Sequence, residues 1–82
     1  TALQALAMLN NHFLIRQSER LAGRVQRESA TVPGQVKRLF ELVYHRVPES
    51  TEHKAVISLA REHGLANACR VVLNSNEFLF LN

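Results

Sequence analysis

Apolar side chains recur at three- and four-residue steps between residues 35 and 46, and charged side chains fill most positions between them. This spacing places the apolar residues on one stripe of an α-helix. The pattern therefore predicts an amphipathic helix over residues 35–46, which Pro48 closes because proline disfavours helical continuation. The predicted stripe consists of Val36, Leu39, Phe40, Val43 and Val47.

Similar spacing predicts three more helices. A helix over residues 12–29 would place Leu14, Ser18, Leu21, Ala22 and Val25 on one face. A further helix begins near Ser50 or Thr51, either of which could cap it, and ends at Gly64. The most apolar helix follows over residues 65–74. The intervening residues 30–34 contain Pro and Gly and predict a loop.

A helix rich in Ala, Leu and Met is also expected over residues 2–9. Asn10 and Asn11 are expected to interrupt it. In the predicted helix that ends at Gly64, the fourth along the chain, one face is expected to carry Ala55, Val56, Leu59, Ala60 and His63. Ile57 is expected on the other side. These elements predict an all-α fold, a compact bundle of about five helices with a short apolar C-terminal tail packed on it.

Length and composition limit the chain to one helical domain, residues 1–82. With 82 residues, of which 46% are hydrophobic, the chain has material for a single core. The helical pattern already runs at Thr1, so we expect the C-terminal fragment of a larger multidomain protein. No stretch approaches the roughly 18 apolar residues of a membrane helix, and no signal-peptide layout is present.

One surface concentrates positive charge. The residues Arg16, Arg20, Arg24 and Arg27 are spaced by four, four and three positions, which aligns them along one stripe of the predicted helix. The stripe is interpreted as a solvated face or as a docking surface for an acidic sister domain. Nucleic-acid binding through this stripe is the alternative. A helix-turn-helix is disfavoured because the fifth predicted helix, over residues 65–74, is too apolar to contact base edges in the major groove of DNA.

The sequence offers no catalytic, metal or cofactor constellation. The histidines are not spaced as ligands on one helix face, and Cys69 lies in the most apolar segment, where a thiol is usually a core residue. The neighbouring Glu49 and Glu52 fit the start of a helix. We therefore expect a non-enzymatic chain without cofactor or metal.

Three short stretches carry a family resemblance. The first, residues 5–13, has small apolar residues followed by Asn10. The second is His45-Arg46-Val47-Pro48 followed by Glu52, with His45 where glycine is usual. Glycine usually marks a left-handed or tightly packed backbone position, so histidine at residue 45 leaves the geometry of this turn open. The third stretch, near the chain end, contains Asn74, Ser75, Asn76, Glu77 and Phe78.

Together these stretches resemble the C-terminal region of the large planctomycete-type, cytochrome c-associated envelope proteins of unknown function. The resemblance implies a helical terminal module without catalytic residues in an exported, periplasmic or envelope-associated protein. Any haem would belong to an upstream domain. The expected partners are other domains of the parent chain or another protein, and the oligomeric state stays open.

The last stretch has two interpretations. In one, Asn74, Ser75 and Asn76 end the fifth predicted helix while Phe78 and Phe80 fill the core. In the other, residues 78–81 dock on another domain of the parent protein. The sequence thus favours a structural or interaction module over an enzyme.

Overall fold

A computed structural model describes residues 11–75 of the chain. Within that range the chain forms four helices, α1 (Asn11–Glu28), α2 (Val32–Tyr44), α3 (Ser50–His63) and α4 (Leu65–Leu73), and no strand. The predicted all-α class is confirmed, although the described helices are fewer than the five or so expected. The helix predicted over residues 2–9, Asn10, and the tail with Asn76, Glu77 and Phe78 lie outside the described residues.

The core lies where α1, α2 and α4 meet. Each of these three helices contributes residues to the buried core cluster, and α1 packs mainly against α4. The buried hydroxyl of Ser18 donates a 2.6 Å hydrogen bond to the carbonyl of Leu14, which satisfies its polar group inside the helix. The buried core cluster consists of Ala22, Val25, Val36, Leu39, Phe40, Cys69 and Val72.

The α2 helix begins earlier than predicted. Thr31 caps it by accepting a 3.2 Å hydrogen bond from the Gly34 N–H, and Pro33 occupies the first turn, where its missing N–H costs nothing. A side chain at Gly34 would collide with Ser29 Oγ, so glycine permits the close turn. The predicted loop over residues 30–34 was therefore too long.

The end of α2 also differs from the prediction. The helix stops at Tyr44, so Val47 lies beyond it and is 55% exposed, although it was assigned to the buried stripe. The reason is the left-handed backbone at His45, which ends the helical path before Val47 can join the stripe.

The α3 helix ends before Gly64 as predicted, but its first residues and its buried face differ. Its N-cap is Glu49 rather than Ser50 or Thr51. Val56, Ile57 and Ala60 lie toward the core, whereas Ala55 and His63 are exposed. The inward face of the helix is thus rotated relative to the prediction, since Ile57 packs against the core cluster whereas Ala55 and His63 face solvent. Nε2 of His53 on this side lies 2.8 Å from the Pro33 carbonyl.

Candidate functional site

Residues 45–48, which we call the motif turn, lie in the connection between α2 and α3. His45 has φ 59° and ψ 33°, in the left-handed region, and its N–H donates a 3.1 Å hydrogen bond to the Glu41 carbonyl. Helices commonly end in this way, usually on glycine. His45 therefore adopts the left-handed conformation that glycine usually occupies, although the sequence left the geometry of this turn open.

Arg46 joins the motif turn to the first turn of α3. Its two terminal nitrogens each lie 2.8 Å from a different carboxylate oxygen of Glu52, and one also donates to the Val47 carbonyl at 3.1 Å. The Glu52 carboxylate also accepts the Glu49 N–H at 2.8 Å, which satisfies a donor at the start of α3. These bonds, chiefly those from Arg46, lower the pKa of Glu52 to about 2.

Two aromatic rings hold the other side of Arg46. Its guanidinium carbon lies 5.6 Å from the ring centre of Phe40 and 5.5 Å from that of Tyr44. The two rings meet edge to face with their centres 5.3 Å apart. The cation therefore rests against ring surface while its donors reach Glu52, so packing and hydrogen bonding fix the same rotamer.

Tyr44 links the motif turn to the C-terminal stretch. Its hydroxyl donates a 2.7 Å hydrogen bond to the Val72 carbonyl near the end of α4, and it also hydrogen-bonds to Ser75 Oγ. Since a phenol has one proton, Ser75 is the donor in the second bond. Two stretches that are far apart in sequence therefore meet in space.

Asn74 and Ser75 end α4, as predicted for the first part of the C-terminal stretch. The Asn74 N–H donates to the Arg70 carbonyl at 3.0 Å, and the Ser75 N–H donates to the Val72 carbonyl at 3.3 Å. These bonds satisfy carbonyls that the helix end would otherwise leave without a partner. Three motif residues thus join two aromatic residues of α2 in one structural group, the motif cluster, which contains Phe40, Tyr44, Arg46, Glu52 and Ser75.

The basic stripe, Arg16, Arg20, Arg24 and Arg27, lies on the exposed face of α1 as predicted. Arg24 pairs with Glu28 at 2.8 Å, and Glu28 also pairs with Arg38 of α2 at 2.5 Å. These two hydrogen-bonded arginines, Arg24 foremost, lower the pKa of Glu28. The stripe is therefore partly neutralised at one end.

The other three arginines of the basic stripe are not neutralised by a carboxylate within the described residues. Within residues 11–75, Arg16, Arg20 and Arg27 make no ion pair, and each is exposed. Over the length of α1 they form a row of cations pointing to solvent.

Reactive groups are scarce in the described part of the chain. Burial raises the pKa of Cys69 to about 12, so little thiolate forms at neutral pH. Among residues 11–75, no group of three or more His, Cys, Asp or Glu side chains is arranged to hold a metal ion. No helix in that range is long and apolar enough to cross a membrane.

Sequence reasoning overlooked Tyr44, which was not assigned to any site. A signal was present, because a tyrosine beside a predicted apolar stripe needs a partner for its hydroxyl when it is buried. Its partners, however, are 28 and 31 residues away in sequence, and only the tertiary fold identifies them.

The fold and the motif cluster define a small helical module whose distinctive residues cap helices and tie them together. The chain belongs to the family PSD1, a protein of unknown function (DUF1553), whose sequence profile matches residues 1–60. This match confirms the family resemblance and includes the motif turn, while the stretch around Asn74 lies beyond it. Comparison with the curated proteins and with the solved structures gave no match.

Proposed function

We propose that this chain is a non-catalytic interaction module that docks through the basic stripe on an acidic surface of another domain of its parent protein. The observation that carries the proposal is the exposed row Arg16, Arg20 and Arg27, which makes no ion pair within residues 11–75. A row of cations spaced for one helix face matches a partner surface with carboxylates at similar spacing.

The state of the other polar groups supports a structural role. Arg46 and Glu52 pair with each other, and the Tyr44 hydroxyl is bonded to the end of α4. Cys69 is buried with a raised pKa. The residues with the most distinctive chemistry are therefore occupied in holding the helices together, which favours a module over an enzyme.

The strength of the stripe favours a tethered partner over a freely diffusing one. An exposed ion pair contributes about 0.2–1 kcal/mol, so three such pairs supply at most about 3 kcal/mol. That corresponds to a dissociation constant no tighter than the millimolar range. A domain on the same chain has an effective concentration of about that size. Weak electrostatic docking would then suffice within one protein.

The family resemblance supports an exported parent protein of the periplasm or cell envelope. In that setting a terminal module would hold the arrangement of the preceding domains. Ionic contacts of this kind weaken as salt screens them, which makes the proposal testable by salt titration.

The test measures binding of the 82-residue chain to two polyanions by NMR. One is an oligoglutamate peptide, which represents an acidic protein surface, and the other is a DNA duplex of equal charge, at about 50 and 200 mM salt. The variant Arg16→Gln/Arg20→Gln/Arg27→Gln is compared with Lys37→Gln/Lys54→Gln/Arg61→Gln. This control removes equal charge from exposed positions elsewhere.

The proposal predicts that oligoglutamate shifts amide signals of α1 at low salt, and that the stripe variant, but not the control, abolishes these shifts. Equal loss in both variants would contradict docking through the stripe, since net charge alone would then explain binding. DNA binding that outlasts oligoglutamate binding at the higher salt would instead favour the nucleic-acid alternative.

A further inference from the structure

A groove lies between the second half of α3 and α4, and its lining shares no residue with the motif cluster or the basic stripe. Its volume is about 320 Å³, at the lower end of the range for ligand-binding pockets. The described residues that line it are Leu59, His63, Asn67, Arg70, Val71 and Asn74.

The lining combines apolar surface with one unpaired cation. Leu59 is half-buried, and Val71 is 52% exposed, which is high for a valine within a nine-residue helix that otherwise packs well. Arg70 is half-buried and makes no ion pair within the described range. The described lining contains no acidic residue.

The polar groups around Arg70 do not compete for its charge. Asn67 donates its side-chain amide to the His63 carbonyl at 2.6 Å, and the Arg70 carbonyl accepts the Asn74 N–H. The Glu62 carboxylate lies 3.8 Å from His63 Nε2, and its side chain is largely exposed to solvent. The Arg70 guanidinium is therefore available to an anion entering from outside.

We propose that this groove binds a peptide segment in which an aliphatic side chain stands beside a Glu or Asp. The aliphatic side chain would cover Val71 and Leu59, and the carboxylate would pair with Arg70. Arginine suits this role because its planar fork binds both oxygens of a carboxylate. The open shape and small volume fit one or two residues of an extended segment better than a whole helix.

The charge of Arg70 and the apolar surface of Val71 and Leu59 together indicate the chemistry of the bound segment. An isolated anion would leave Val71 and Leu59 exposed, and an uncharged aliphatic segment would leave Arg70 desolvated without a partner, which is unfavourable. A ligand carrying both groups pairs with Arg70 and also covers the apolar residues of the described lining.

The test uses NMR titration of the full 82-residue chain with a short peptide of alternating Leu and Glu. The peptide is acetylated and amidated so that only side chains carry charge, and a peptide of alternating Leu and Gln is the control. We expect shifts at Leu59, Asn67 and Val71 with the first peptide and none with the second.

Two variants distinguish the groove from general attraction. Arg70→Gln should weaken binding about tenfold, as expected for losing hydrogen bonds to a charged group. Arg61→Gln, which removes an exposed arginine of α3 outside the lining, should leave binding unchanged. Val71→Ser changes an exposed apolar residue of the groove lining. It provides a second test of peptide binding to the groove if the Arg70→Gln variant does not fold.

Failure of this proposal is separable from failure of docking through the basic stripe. The variant Arg16→Gln/Arg20→Gln/Arg27→Gln should bind the Leu and Glu peptide normally. Shifts confined to α1, or equal effects of Arg70→Gln and Arg61→Gln, would overturn the groove as a binding site. Equal binding of the Leu and Gln peptide would overturn the assignment of a carboxylate.

Discussion

Replacing Glu52 by Gln tests whether the Arg46–Glu52 pair stabilises the fold. Glutamine keeps an oxygen that can accept the Glu49 N–H at the start of α3, since Glu and Gln both serve at this position. It removes the negative charge that the two nitrogens of Arg46 contact at 2.8 Å. The substitution therefore isolates the ion pair from the helix cap.

The magnitude follows from the pKa and the exposure of Glu52. A fall from 4.5 to about 2 would correspond to about 3 kcal/mol if it were fully expressed as stability. The side chains of Arg46 and Glu52 are 35% and 34% exposed, so solvent screening reduces the expected loss to about 1–2 kcal/mol. For a domain of this size the melting temperature should fall by roughly 4–16 °C.

The assay is thermal unfolding followed by circular dichroism, with Glu62→Gln as the matched control. Glu62 lies on the same helix with its side chain 72% exposed, and its substitution should change stability by no more than about 0.5 kcal/mol. The pH dependence adds a second signature. The folded-state pKa of Glu52 is lowered, so its stabilisation is present above the unfolded-state pKa and is lost as the pH falls.

The difference in stability between the unaltered chain and Glu52→Gln should therefore be constant above about pH 5 and disappear toward pH 2. Glu28, whose pKa is also lowered, is present in both proteins and cancels from this difference. Equal melting temperatures for Glu52→Gln and Glu62→Gln would refute the stabilising role. A difference that persists unchanged at pH 2 would show that the charge of Glu52 is not its cause.

The remaining predictions concern single side chains of the motif cluster and core. Tyr44→Phe keeps the ring but removes the bonds to Val72 and Ser75, so urea unfolding should show a loss of about 1 kcal/mol; an unchanged midpoint would contradict the link. His45→Gly relieves the left-handed backbone and should stabilise by about 0.5–1 kcal/mol after the added flexibility of the unfolded chain is subtracted. His45→Val should destabilise the fold. A His45→Val variant more stable than the His45→Gly variant would rule out a strained backbone at this position. Cys69, with its pKa raised to about 12 by burial, should react with a disulfide reagent at pH 8 only after unfolding, so rapid labelling of the folded chain would contradict its burial.

Local spacing predicted much of α1, α2 and α4 because each buries one face of a periodic pattern. Ser18, Ala22 and Val25 are buried as the spacing of α1 requires. Cys69 is likewise fully buried in the helix predicted to be most apolar. In these helices the strongest periodic signal and the tertiary environment agree.

The helix starts were predicted less well because several local signals compete there. Pro33 and Gly34 indicate a loop by composition, yet the cap from Thr31 makes them the first turn of α2. At α3 the hydroxyls of Ser50 and Thr51 were plausible caps, but the bonds made by Glu52 favour a start one residue earlier. Only the three-dimensional contacts decide between such alternatives.

The motif residues were recognised before their physical role could be derived. Arg46, Pro48 and Glu52 were identified by family resemblance, while their connection to Tyr44 and Ser75 depends on helices packed from distant parts of the chain. The interpretation of residues 76–82 stays a prediction. Truncation after Asn76 should lower thermal stability if Phe78 and Phe80 fill the core.

The most direct test of docking through the basic stripe compares arginine modification by phenylglyoxal in the natural parent protein and in the 82-residue chain. Docking on a sister domain predicts slower modification of Arg16, Arg20 and Arg27 in the parent protein, with Arg61 on α3 reacting equally in both. Equal rates at all of these arginines would contradict docking through the stripe.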